Sequence, residues 1–211
     1  MSESLERLLA GQKIIPVVAI EEAENAVPLA RALVRGGIRV IEVTLRTAEA
    51  VEAIRRTLDE VPEICVGVGT VLSPSDFEKV QALGARFAVS PGATPSLFNA
   101  AKETGLPFLP GISTPSEAML AMEQGFQMLK FFPAVASGGA GMLKGMGGPL
   151  QNLQFCPTGG VSEANLAEFL SLKNVFAVGG TWIAPNDLIN ANDWGEIEAR
   201  ARQASKLVEK L

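Results

Sequence analysis

A helix-start signal recurs in the middle of this chain every 20 or 21 residues: Ser73-Pro74, Thr94-Pro95 and Thr114-Pro115. A hydroxyl side chain before proline reads as an N-cap followed by proline at the first helical position. Glu117 stands where it would complete a capping box with Thr114. Gly84, Gly105 and Gly125 recur with the same period as helix-stop signals. After each glycine comes a short apolar run, RFAVSPG, PFLPGI and then MLKFFP, of barrel-strand length.

The same grammar extends outward. IIPVVAI (14–20), IRVIEVTL (38–45) and ICVGVGT (64–70) precede this block, and LQFCPTGG (153–160) and NVFAVGG (174–180) follow it. Between them lie segments of helical spacing, such as Val51, Ile54, Leu58 and Val61. The last runs from about Asp193 with Ile197, Ala201, Ala204, Val208 and Leu211 on one side. Eight strands alternating with helices imply a parallel sheet covered by helices. The expected fold is therefore α/β, a (β/α)8 TIM barrel with an extra N-terminal helix in MSESLERLLAGQK, its site at the C-terminal strand ends. A doubly wound open sheet is the alternative. No linker or low-complexity tract divides residues 1–211, so one domain is expected.

Composition narrows the chemistry. The chain has no histidine and no tyrosine. That removes Ser-His-Asp and Cys-His catalysis and His-ligated metal sites, and leaves Glu, Asp, Lys, Cys, Ser/Thr or water for proton transfer. No metal or cofactor is called for. Cys65 and Cys156 match no metal or redox spacing and read as small buried hydrophobes. A net charge of -5 without a basic run argues against nucleic acid. No apolar stretch reaches the roughly 18–20 residues of a membrane span, and the N-terminus lacks signal-peptide character, so a cytoplasmic location is expected.

Two charges break the apolar pattern of the strands. Of eight lysines only Lys130 lies inside an apolar strand, and of 23 acidic residues only Glu42 sits mid-strand. Alternate strand residues face opposite sides. Glu42, Thr44 and Arg46 therefore share one face, directed inward, with Arg46 nearest the open mouth. Lys130 and Phe132 share a face in the same way. A buried ion pair that merely fills the interior is one reading. The functional reading is more specific. A lysine in apolar surroundings loses its proton more readily, and the neutral amine attacks a ketone to form an iminium, an electron sink for C–C cleavage. A nearby carboxylate shuttles protons, and an arginine at the rim grips a substrate carboxylate. Together they describe aldol chemistry on a 2-keto acid.

The strand-end loops Pro157-Thr158-Gly159-Gly160 and Gly179-Gly180-Thr181 suit a phosphate, with Ser162 able to cap the next helix. Simple turn glycines are the alternative there. Gly138-Gly139-Ala140-Gly141 reads as a flexible loop that could close over substrate. Gly67-Val68-Gly69-Thr70 is not a dinucleotide fingerprint, since it lacks the third glycine and the acidic residue.

IEVTLRT (41–47), GVGTVL (67–72), SPG (90–92), PGISTPSE (110–117), LKFFPA (129–134), FCPTGG (155–160) and AVGGTW (177–182) together resemble the bacterial 2-keto-3-deoxy-6-phosphogluconate (KDPG) and 4-hydroxy-2-oxoglutarate aldolases over nearly the whole chain. The resemblance implies Lys130 as the Schiff-base lysine and Glu42 as general acid/base. It implies Arg46 and Thr70 on the pyruvate carboxylate, and Pro91 and Phe132 lining the pyruvate pocket. Thr158 would contact the aldehyde portion, and Gly159, Gly160, Gly180 and Thr181 the phosphate. Members commonly carry serine where this chain has Thr181, and the hydroxyl is kept. The resemblance further implies a homotrimer acting on a 2-keto acid and a phosphorylated aldehyde in sugar-acid breakdown, including the Entner–Doudoroff route. Two rivals stand beside this reading: a phosphate-binding isomerase or lyase using Lys130 and Glu42 only as proton carriers, and a non-enzymatic scaffold.

Overall fold

The computed structural model describes residues 4–209. A short helix, α1 (Leu5–Leu8), leads into β1 (Ile14–Val18), a 3-10 turn (Ala23–Asn25), α2 (Ala26–Arg35) and β2 (Val40–Thr44). Alternation continues through α3 (Ala50–Glu60), β3 (Cys65–Gly69), α4 (Pro74–Ala82), β4 (Phe87–Val89), α5 (Pro95–Thr104), β5 (Phe108–Leu109) and β6 (Gly111–Ile112). Then come α6 (Pro115–Glu123), β7 (Met128–Phe131), α7 (Gly139–Gly147), β8 (Gln154–Pro157), α8 (Leu166–Leu170) and β9 (Val178–Gly180). Two helices, α9 (Asn186–Asn190) and α10 (Trp194–Val208), complete the described chain. Residues 1–3 of the expected N-terminal helix, and Leu211 of the last helical face, lie outside the described residues.

The helix punctuation does what its chemistry requires. Ser73 accepts from the Asp76 amide, and Asp76 returns a bond to the Ser73 amide. Thr114 and Glu117 form the same reciprocal box on α6. Thr94 stands at the N-cap of α5, but its hydroxyl pairs with Ser96 instead of the backbone. Gly84, Gly105 and Gly125 take φ of 78°, 66° and 92°, the left-handed region that glycine enters at little steric cost. Asp193 caps α10 by accepting from the Glu196 amide at 3.0 Å.

All strand pairs are parallel, but the expected closed eight-stranded barrel is not what the ladders form. They make a six-stranded sheet, β5-β4-β3-β2-β1-β9, and a separate three-stranded sheet, β6-β7-β8. The reason on one flank is Pro110. It has no amide hydrogen, so the single strand expected at PFLPGI is split into β5 and β6. The next amide, Gly111, donates to the Ser90 side chain at 3.3 Å rather than to a backbone carbonyl. On the other flank, among the described residues, only isolated bridges, Phe155–Val175 and Thr158–Gly179, stand between the sheets.

Two local expectations also change. Val51 is 46% exposed, and α3 instead buries Ala50, Ala53, Ile54 and Thr57. Gly139–Gly141 are the first turn of α7 rather than a loop. Beneath the helices, Phe108 stacks edge-on against Phe77 and Phe126, with ring centroids 5.0 and 5.6 Å away. Truncating a core phenylalanine of this kind to alanine costs about 3–5 kcal/mol.

Candidate active site

The inward face of β2 carries Glu42 and Thr44, both buried, while Ile41 and Val43 pack under the helices as strand parity requires. Thr44 is satisfied by donating to the Val18 carbonyl at 2.9 Å. Lys130 enters from β7, in the other sheet, and donates through Nζ to both carboxylate oxygens of Glu42, at 2.9 and 3.1 Å. Lys130 is 4% and Glu42 2% exposed. Phe132, just past the end of β7, presents its ring 5.6 Å from Nζ. The two charged residues singled out by position alone thus form one bidentate, buried pair.

At the mouth, exposed Arg46 donates through Nε to Thr70 Oγ1 at 3.0 Å, an arrangement that leaves the rest of its guanidinium for another acceptor. Thr70 has φ of 62°, a left-handed conformation that a β-branched residue rarely adopts. Pro91 lies against Gly111, whose register partner on β7 is Lys130. The structure therefore gathers Glu42, Lys130, Phe132, Pro91, Arg46 and Thr70 around the strand ends.

Thr158 is buried just past β8 and is bridged to Gly179. Its carbonyl and that of Gly159 accept from the Ala134 and Val135 amides at 2.7 and 3.1 Å. Gly159 and Gly160 take φ of 97° and 78° and rest against Phe132 and Val135. Gly180 ends β9 beneath the Trp182 ring, and Thr181 is exposed beyond it. The helix after this loop starts differently from expectation. Asn165, not Ser162, occupies the N-cap of α8. Its side chain accepts from the Ser162 amide at 2.8 Å and donates to the Gly160 carbonyl at 3.0 Å, pinning the turn.

Cys156 is the register neighbour of Lys130 on β8. Burial, reinforced by the Glu42 charge and opposed by Lys130, pushes its thiol up to about 12. It stays protonated and inert near neutrality, in keeping with the reading of a small buried group. Residues to which sequence reasoning gave no role in the site also shape it: Gly69, Ser90 and Asn165. Gly67 and Gly69 alternate along β3, so both face inward, and that period was the available signal. A concavity of about 730 Å³ lies elsewhere, along α10 beside Glu198, Arg202 and Lys206. Its lysine and arginine are surface groups, and it offers no buried nucleophile.

Known proteins resemble this chain over nearly its whole length. The KDPG and KHG aldolase family profile matches residues 5–200. The KHG/KDPG aldolase of Escherichia coli (strain K12) is 49% identical over 201 residues, 95% of this chain and 94% of its own length. The 2-dehydro-3-deoxy-phosphogluconate aldolase of Dickeya dadantii (strain 3937) matches to the same extent, at 49% over 201 residues. Among solved structures, the KDPG aldolase of Legionella pneumophila, holding pyruvate as a covalent carbinolamine, superposes with a TM-score of 0.94 at 42% identity, covering 96% of this chain and 98% of that one. The Zymomonas mobilis ZM4 aldolase with 3-phosphoglycerate gives a TM-score of 0.90 at 37% identity, with 97% and 96% coverage. With a family profile spanning nearly all of it and relatives at half identity, the chain belongs to the KDPG and KHG aldolase family.

Proposed function

We propose that this chain is a class I aldolase that reversibly cleaves 2-keto-3-deoxy-6-phosphogluconate to pyruvate and glyceraldehyde 3-phosphate, and 4-hydroxy-2-oxoglutarate to pyruvate and glyoxylate. The observation that carries the reading is the buried Lys130–Glu42 pair, with Nζ 2.9 and 3.1 Å from the carboxylate oxygens. Lys130 hands a proton to Glu42, and the freed amine attacks C2 of the keto acid. The carbinolamine loses water, with Glu42 supplying the proton, to give the iminium. A base then takes the C4 hydroxyl proton and the C3–C4 bond breaks. The aldehyde leaves, and the electron pair rests in the enamine. Protonation at C3 and hydrolysis release pyruvate and return the amine.

Arg46 and Thr70 hold the pyruvate carboxylate on this reading, with Pro91 and Phe132 walling the pocket. Thr158 meets the aldehyde portion, and the Gly159-Gly160 and Gly180-Thr181 loops take the phosphate through backbone amides. One contiguous hydrophobic core running from Leu5 to Ala204 supports a single catalytic domain. The family resemblance extends the reading to a homotrimer working in the cytoplasm.

Borohydride reduction in the presence of pyruvate, followed by peptide mass spectrometry, tests the mechanism. A reduced pyruvate adduct on the peptide bearing Lys130, lost in Lys130→Ala, is expected. Folded, pyruvate-exposed protein without an adduct would replace the covalent mechanism by one in which Lys130 and Glu42 only carry protons.

A further inference from the structure

The Gly67-Val68-Gly69 run of β3 places two glycines inside a strand, where glycine ordinarily weakens the element and marks a close approach by another group. Neither glycine has the left-handed φ that would demand it. Each faces inward, and each yields its side-chain space to a neighbour. A Cβ on Gly67 would run into the Phe87 ring. A Cβ on Gly69 would run into Glu42, colliding with Oε1 and lying 2.8 Å from both Cδ and Cγ. Gly69 and Thr44 are register partners, so the Glu42 side chain leans over the neighbouring strand into the volume Gly69 leaves empty. From there its two oxygens reach Lys130 Nζ.

We propose that Gly69 is a positioning residue for the proton-transfer step: its missing side chain is the slot that holds the Glu42 carboxylate against Lys130. The inference rests on the Schiff-base reading of Lys130 and Glu42. Any side chain at position 69 displaces the carboxylate, because the atoms it meets are those of the acid itself, a flexible side chain that yields by swinging out of the slot.

The test is a double-variant cycle read by exchange of the pyruvate methyl protons for deuterium, which reports proton transfer at C3 without an aldehyde. Gly69→Ala is expected to slow exchange by on the order of 10²-fold, the lower range for loss of a general acid/base. Placed in a Glu42→Ala background, where the acid is absent, the same substitution is expected to change the residual rate by no more than about twofold. If Gly69→Ala fails to fold while the Glu42→Ala/Gly69→Ala protein folds, the clash is still with Glu42 and the proposal stands. It is overturned if Gly69→Ala exchanges at the wild-type rate, if both backgrounds lose activity equally, or if neither Gly69→Ala protein folds. Failure of the underlying reading looks different: no trapped adduct on wild-type Lys130, or full exchange in Glu42→Ala. Either result takes both readings down together.

Discussion

Glu42 and Lys130 stand 88 residues apart in the chain and join the six-stranded sheet to the three-stranded one through a bidentate, buried contact. Pairs of this kind seldom stabilise a fold relative to apolar packing, whereas removing one partner strands a charge and costs about 3–5 kcal/mol. Glu42→Leu and Lys130→Met are each expected to lose stability in that range. The double variant should return to wild-type stability or exceed it by about 1–4 kcal/mol, with no turnover. Urea midpoints of the four proteins decide it. A double variant weaker than either single would mean the pair is kept for the fold rather than for chemistry.

Thr70 holds a left-handed backbone, at φ 62°, to offer Oγ1 to Arg46. Such a conformation costs a non-glycine residue about 1–3 kcal/mol. Thr70→Gly is therefore expected to raise the melting temperature while raising the KM for the keto acid. Arg46→Lys should also raise KM, because an ammonium does not reproduce the planar fork. If Thr70→Gly lowers stability and leaves KM unchanged, the strain is not there to serve binding.

Asn165 ties the Ser162 amide to the Gly160 carbonyl. Asn165→Ala releases that turn. Losing a hydrogen bond worth about 1 kcal/mol corresponds to roughly a fivefold higher KM, and it is expected only with the phosphorylated substrate. Exchange of pyruvate methyl protons should be unaffected. Steady-state kinetics with KDPG and with 4-hydroxy-2-oxoglutarate, which lacks the phosphate, separate the two. Equal losses on both substrates would detach this loop from phosphate recognition.

Glu117 titrates below its ordinary value of 4.5. Burial alone pushes it up, but the Ser113 and Thr114 amides and hydroxyls outweigh that burial together. A depressed carboxylate stabilises the fold above its unfolded pKa and loses the contribution as pH falls through the lower, folded value. Glu117→Ala should thus cost about 0.3–1 kcal/mol near neutrality, the range for a carboxylate at an exposed helix N-terminus. The gap from wild type should shrink below pH 4.5. Urea unfolding across that window is the measurement, and a gap that persists in acid would assign the effect to helix propensity.

What was readable in the chain was whatever local chemistry dictates. Capping hydroxyls before proline, stop glycines and strand parity placed the helices and turned Glu42 and Lys130 inward, with Arg46 at the exposed mouth. Sheet closure was not readable, because it depends on whether Pro110 and Gly111 find partners in other strands, and a missing amide hydrogen decided that locally. The reading at Val51 failed because helical spacing alone does not say which flank of a stripe meets the sheet. Gly69 and Asn165 escaped notice for a related reason. Their importance lies in a carboxylate and a turn reached only through tertiary contact, and neither residue type announces chemistry by itself.

The split at Pro110 divides the labour of the site. Glu42, Arg46 and Thr70 belong to the six-stranded sheet or the loops leaving it, as do Gly180 and Thr181, while Lys130 and the Thr158–Gly160 loop belong to the three-stranded one. A keto acid bonded to Lys130 and gripped by Arg46 would lace the sheets together on one side, and a phosphate shared by the two glycine loops would lace them on the other. On the proposed reading the substrate would then tighten, for the length of one turnover, a seam that the backbone stitches only at isolated points.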